Sequence, residues 1–178
     1  LGSQALRSLW ESSPEKPRIE KFLTSIQKGQ RFQEATQTPR TTQFDRQKNL
    51  KTVKISCVTE KMKFTIERFE VAPRQPIKIL FTNPDATDHN IVFVRPGKSQ
   101  AVGMAAAVMA RDPKNANSDF IPKNKARLIL HASKMIGPTR KNKVDVLRFR
   151  APKKPGVYPY ICTFPGHFTI MKGEMVVR

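Results

Sequence analysis

The chain has 178 residues, 38% of them hydrophobic, and a formal net charge of +19. No run reaches the about 18 apolar residues a membrane-spanning helix needs, and the longest apolar stretch covers only residues 101–110. The opening Leu1-Gly2-Ser3-Gln4 has no basic flank, no apolar run and no initiator Met, so the chain is read as a processed form or a piece of something longer.

The charge is uneven. Residues 1–50 hold 9 Lys/Arg against 5 Asp/Glu, and residues 51–178 hold 24 against 9. A folded domain this basic either attracts something acidic or is simply a soluble basic protein. Nucleic acid, an anionic membrane surface and an acidic protein partner all fit the charge, but nucleic acid ranks low, because the basic residues are scattered and no nucleic-acid-binding motif appears.

In chain order, residues 5–10 are short and mildly amphipathic. Pro17 opens an expected helix to about Lys28, with Ile19, Phe22, Leu23 and Ile26 at helical spacing. Residues 29–49 are polar and read as a linker or extended arm, either the end of an upstream domain or a wrap around the next one. Residues 1–50 are therefore set apart as a partly helical extension, and residues 51–178 as the domain.

From Lys51 the period changes to that of strands. Residues 52–58 alternate, with Val53, Ile55 and Cys57 on one face. Phe64, Ile66 and Phe69 mark a second strand, and residues 76–82 a third, closed by the turn Asn83-Pro84-Asp85. Residues 90–94, 144–149, 157–162 and 173–177 complete the set. Between them, residues 95–143 break the pattern. Ser99 is expected to cap a helix over residues 100–111, ended by Asp112-Pro113, with Met104, Val108 and Met109 inward. Residues 114–125 read as loop. Some seven short strands with turn punctuation give an all-β two-sheet sandwich with a helical flap.

The chemistry lies near the C-terminus. Cys162, His167 and Met171 stand at Cys-x4-His-x3-Met, and a soft thiolate, an imidazole and a thioether on one loop suit copper in both oxidation states. Cys162 ends a strand, Pro165-Gly166 turns the chain, and Met171 follows as a weak axial ligand. The second imidazole comes from elsewhere, and the chain has only three histidines. His131 has no supporting motif. His89 starts a strand, with Asn90 placed to tie that strand to the Cys162 loop. The expected ligands of one type 1 copper are thus His89, Cys162, His167 and Met171, supported by Asn90 and Thr163. Cys57 is left as a free, buried thiol that packs like a small hydrophobe.

These residues resemble a known family. Cys162-Thr163-Phe164-Pro165-Gly166-His167, then Met171-Lys172-Gly173, is similar to the azurin ligand loop, and His89-Asn90 to the first-ligand motif of azurins and plastocyanins. The resemblance to these cupredoxins, auracyanins included, covers about residues 50–178 and is tightest over 157–178. It implies a Greek-key β-sandwich with copper near one end, a flap at residues 95–143 and an extracytoplasmic, periplasmic-type setting. There are departures. Where azurins have Gly before the first His, this chain has Asp88, whose carbonyl is the possible weak fifth ligand. An ionised Asp88 carboxylate would favour Cu(II). The azurin disulfide is absent, and residues 1–50 have no counterpart.

Too few histidines remain for a catalytic type 2 or trinuclear copper centre, and one loop cysteine is too few for a dinuclear one. The expectation is a one-electron carrier, not an enzyme. Its electron port is the edge of His167, flanked by Phe164, Pro165 and Phe168, with loop packing the alternative role for Phe168. The partner is an acidic redox protein such as a cytochrome or a copper or haem enzyme, met transiently. A copper-binding or docking domain of a larger redox protein is the alternative. Met104, Met109 and Met135 are too scattered for a copper store.

Overall fold

The computed structural model describes residues 40–138, 140 and 143–178, together with Glu11, Lys16, Pro17 and Glu20. The chain divides into two compact units, Leu1–Thr38 and Pro39–Arg178. The amphipathic stretch over residues 5–10 and the helix expected over 17–28 lie outside the described residues, apart from Pro17 and Glu20, which are helical. The second unit begins ahead of the change of pattern at Lys51. Within it, Asp45 reaches the following strands: its carboxylate accepts from Arg148 at 3.0 to 3.2 Å and pairs with Lys78 at 3.1 Å. The Arg148 guanidinium, helped by the Thr42 backbone N–H, holds that carboxyl well below the ordinary range.

Among the described residues, nine strands form two sheets. One sheet holds β1 (Lys51–Val58), β2 (Lys63–Phe64), β4 (Pro76–Thr82) and β7 (Val144–Arg150), in the order β2-β1-β4-β7. The other holds β3 (Arg68–Val71), β5 (Val92–Val94), β6 (Ile129–Ala132), β8 (Gly156–Ile161) and β9 (Lys172–Val177), in the order β3-β9-β8-β5-β6. Two pairings are parallel, β1 with β4 and β3 with β9; the others are antiparallel. The expected sandwich is therefore present, with period-2 burial where the sequence alternates: Val53, Ile55 and Cys57 on β1, and Ile77, Ile79 and Phe81 on β4. Cys57 is a free thiol in this core, and burial pushes its pKa up.

Three local expectations are corrected. Phe64 and Phe69 do not share a strand. The chain crosses from one sheet to the other between them, and both rings enter one core from opposite sides, 5.4 and 6.0 Å from the Tyr160 ring. A strand was missed at Ile129–Ala132, where the sequence showed only the broken pattern of the flap. Its His131 stacks on Phe149 at 4.0 Å. The flap helix α1 (Ser99–Met109) begins at Ser99 itself, with Lys98 in the cap position and no side-chain cap.

Its inward face also differs from expectation. Met104 and Val108 are 53% and 57% exposed, whereas Val102, Gly103 and Ala106 are buried. Small residues face inward because the helix lies close to its neighbours. A Cβ on Gly103 would stand 2.1 Å from the Phe168 ring. Val102 packs with Val92 and Val94 of β5 and with Ile161 of β8. That cover explains why all three residues of β5 are buried: Phe93 faces the sandwich interior, while Val92 and Val94 face the flap.

The interior is aromatic. Phe93 lies 5.3 Å from Phe149 of the opposite sheet and 5.1 Å from Tyr160. Tyr160 is fully buried, and its hydroxyl donates to the Ile66 carbonyl. Opposite it in the ladder stands Gly173, where a Cβ would meet the Tyr160 ring at 2.3 Å. Gly173→Ala is therefore expected to destabilise the metal-free fold by about 1–3 kcal/mol through overpacking. The denaturant midpoint checks this, and an unchanged midpoint would show that Tyr160 yields freely.

Candidate metal centre

Two segments far apart in sequence build the site. Cys162 follows the last residue of β8, and its N–H donates to the Met171 carbonyl at 3.0 Å. Between them the chain turns tightly. The His167 N–H donates to the Phe164 carbonyl, Gly166 takes the left-handed φ of +84° that this turn needs, and the Met171 N–H returns to the His167 carbonyl at 2.8 Å. His89 lies just before β5. Its N–H and carbonyl both pair with Ile136, each bond 2.9 Å.

The side chains converge. The Cys162 Sγ lies 3.6 Å from His89 Nδ1 and 3.8 Å from His167 Nδ1, and the two Nδ1 atoms are 3.2 Å apart. His89, Cys162 and His167 form a buried group whose donor atoms lie within 4.8 Å of one another. A point equidistant from the three atoms lies about 2 Å from each, the length of a metal–imidazole bond and a few tenths of an ångström short of the about 2.3 Å usual for metal–thiolate. Met171 is fully buried and joined by backbone bonds to both Cys162 and His167. One thiolate and two imidazoles, with a thioether on the same loop, match copper's taste for mixed soft and borderline donors.

A layer of hydrogen bonds fixes the donors. Asn90 Oδ1 accepts from the Thr163 N–H at 2.8 Å, and its Nδ2 donates to Thr163 Oγ1 at 2.7 Å and to the Asp119 carbonyl at 2.8 Å. The Asp88 carboxylate accepts from Arg140 Nε at 2.7 Å. The carboxylate that reaches the ligands is Asp85, whose Oδ2 lies 3.2 Å from His89 Nε2. Sequence reading missed Asp85, Asn83, Asp119 and Arg140. The available signal was an acidic residue four positions before His89, inside a turn.

At the rim, the Phe164 ring lies 4.7 Å from His167, and Phe164 and Pro165 are half-buried. Phe168 rests against Gly103 and packs with the Val102 cluster. Ile170, 60% exposed, is the outward apolar side chain of this loop. His131 stays with Phe149, outside the donor group.

A β-sandwich that gathers one cysteine and two histidines at a buried point has the architecture of a blue copper protein. The chain belongs to the plastocyanin/azurin family of copper binding proteins, whose family model matches residues 51–178. It is 31% identical over 128 residues to auracyanin-A of Chloroflexus aurantiacus, covering 71% of this chain and 74% of the relative. It is 31% identical over 114 residues to azurin-1 of Alcaligenes xylosoxydans xylosoxydans, covering 61% and 77%. Among solved structures, reduced auracyanin from Roseiflexus castenholzii superposes with a TM-score of 0.60 at 34% identity, covering 71% of this chain and 96% of that one. Auracyanin A of Chloroflexus aurantiacus, a "blue" copper protein, also gives 0.60, at 29% identity and 72% and 99% coverage. The site is compatible with one type 1 copper.

Near neutral pH the free site holds no positive charge, but its thiol is protonated. Burial pushes the Cys162 thiol up to about 12. Burial, then the nearby His89, brings His167 down to about 4, and burial also lowers His89 against the opposing pull of Asp85. Near neutral pH both imidazoles are thus uncharged, and the cysteine alone must lose a proton to bind metal. Metal uptake at pH 7 is expected to release about one proton per chain. Titration calorimetry in buffers of different ionisation enthalpy reads that number, and release of two would place a proton on a histidine of the free protein.

Proposed function

We propose that this chain carries electrons one at a time through a single type 1 copper held by His89, Cys162 and His167, with Met171 as the weak axial ligand. The observation that carries this reading is the buried convergence of one Sγ and two Nδ1 atoms, all within 4.8 Å. Copper bound there would supply the Cu(II)/Cu(I) couple. The protein's part is to hold the donors still. Cys162 and His89 are fully buried, and the Asn90–Thr163 bonds lock their two segments together. Donors fixed in this way rearrange little when an electron arrives. Their burial suits passage of an electron through a side chain rather than turnover of a substrate. The weak approach of the Asp88 carbonyl to the ion is part of the same proposal.

His167, 6% exposed and bordered by Phe164 and Pro165, is the electron port in this reading, with Ile170 extending the apolar rim. The charge of residues 51–178, 24 basic against 9 acidic, favours an acidic redox partner held briefly. Likeness to azurins and auracyanins supports a periplasmic or otherwise extracytoplasmic setting. Among the described residues, no helix is long and apolar enough to cross a membrane.

Cu(II) added to the purified chain is expected to give intense blue thiolate-to-copper absorption, abolished by Cys162→Ser. A colourless protein that takes only zinc would overturn the electron-carrier reading. Electron exchange with an acidic cytochrome is expected to slow as salt rises, because screening weakens steering beyond about 8–10 Å near physiological ionic strength. Stopped-flow rates independent of salt would remove the acidic partner from the proposal.

A further inference from the structure

We propose that Asp85 is a positioning residue for the metal ligand His89, and that its carboxylate biases the bound copper toward the oxidised state. The inference rests on reading the His89, Cys162 and His167 group as a copper site.

Asp85 is 8% exposed, and its Oδ2 lies 3.2 Å from Nε2 of His89, which is wholly buried. An ionised carboxylate only accepts hydrogen bonds, so Nε2 must carry the ring proton. The lone pair then resides on Nδ1, which faces Cys162 Sγ and His167 Nδ1. Carboxylate, imidazole and metal in line fix the tautomer and raise the basicity of the ligating nitrogen.

The carboxylate is itself held in place. Its Oδ1 accepts from the Ala86 N–H at 2.7 Å, and the Asp85 N–H donates to Asn83 Oδ1 at 3.0 Å. Asn83 Nδ2 donates to the Thr87 carbonyl and to the Ile136 carbonyl, at 2.7 and 2.8 Å. That Ile136 carbonyl is also the acceptor for the His89 N–H. Asn83, Asp85, His89 and Ile136 therefore close one ring of bonds, which sets the position and the facing of the His89 imidazole together.

The charge argument is separate. Asp88, the carboxylate the sequence pointed to, pairs with Arg140. Among the described residues, Asp85 pairs with no Lys or Arg, and its ion-pair contact is His89. A nearly buried negative charge one imidazole away favours the ion of higher charge. It lowers the tendency to accept an electron.

The test compares copper-loaded wild type with Asp85→Asn, which keeps the shape and removes the charge. The expected result is a blue protein whose preference for Cu(I) over Cu(II) rises about tenfold, read as a potential about 59 mV higher for a one-electron couple. Asp85→Ala, which removes the acceptor as well, is expected also to change the copper hyperfine splitting in electron paramagnetic resonance. A second measurement needs no variant. In the Cu(I) wild type, nitrogen-15 NMR is expected to show a slowly exchanging His89 Nε2 proton with a contact to Asp85. A blue Asp85→Asn protein at the wild-type potential, or a His89 without that proton, overturns this inference and leaves the copper site standing. A wild type that stays colourless with Cu(II) overturns both.

Discussion

Two hydrogen bonds between Asn90 and Thr163 hold the metal centre together. His89 and Cys162 lie 73 positions apart, on segments flanking β5 and β8. Each donor is followed by one member of the pair. The Asn90 amide gives and takes across the gap, to the hydroxyl and from the N–H of Thr163, so both segments are fixed in register at the point where the donors must meet. The β5–β8 ladder is short, with two paired positions, and these bonds extend it to the site. Buried and fully paired, they are strong where an unpaired amide would be costly. The third Asn90 bond, to Asp119, ties the flap to the same junction.

The flap does more than cover. It gives β5 a second apolar face, so that the strand following His89 is buried on both sides. It also supports the ligand loop. Gly103 of α1 leaves room for Phe168, and the ring that follows His167 is thereby seated on the helix. The choice of small residues on that face is a consequence of close approach, not of weak hydrophobicity.

Charge is organised in two layers around the donors. Asp88 is answered by Arg140, which also donates to the Asn117 carbonyl, so that carboxylate braces the loop. Asp85 faces the ligand ring. Two carboxylates three positions apart thus have different work, because one meets a guanidinium and the other an imidazole. The local hint is slight, Asp85 standing four positions before His89, and the folded positions of Arg140 and His89 decide which carboxylate meets the ring.

What the sequence determined by itself was the donor chemistry and the sandwich. Cys162 and His167 share one short loop, so their spacing already brings them near each other, and a turn at Pro165-Gly166 needs no distant contact. Strands β1 and β4 are legible because one face is buried and residue type follows that face. Tertiary structure decided the rest. The strand Ile129–Ala132 exists because it pairs with β5, and its own residues are all half-buried, without the contrast that alternation needs. The inward face of α1 was set by the room left over β5 and under Phe168, which no helical wheel contains. Asp85 became a partner of His89 because a turn closed by Asn83 and Ile136 aimed it there. A contact of that kind depends on where three segments pack, and composition and periodicity carry no record of it.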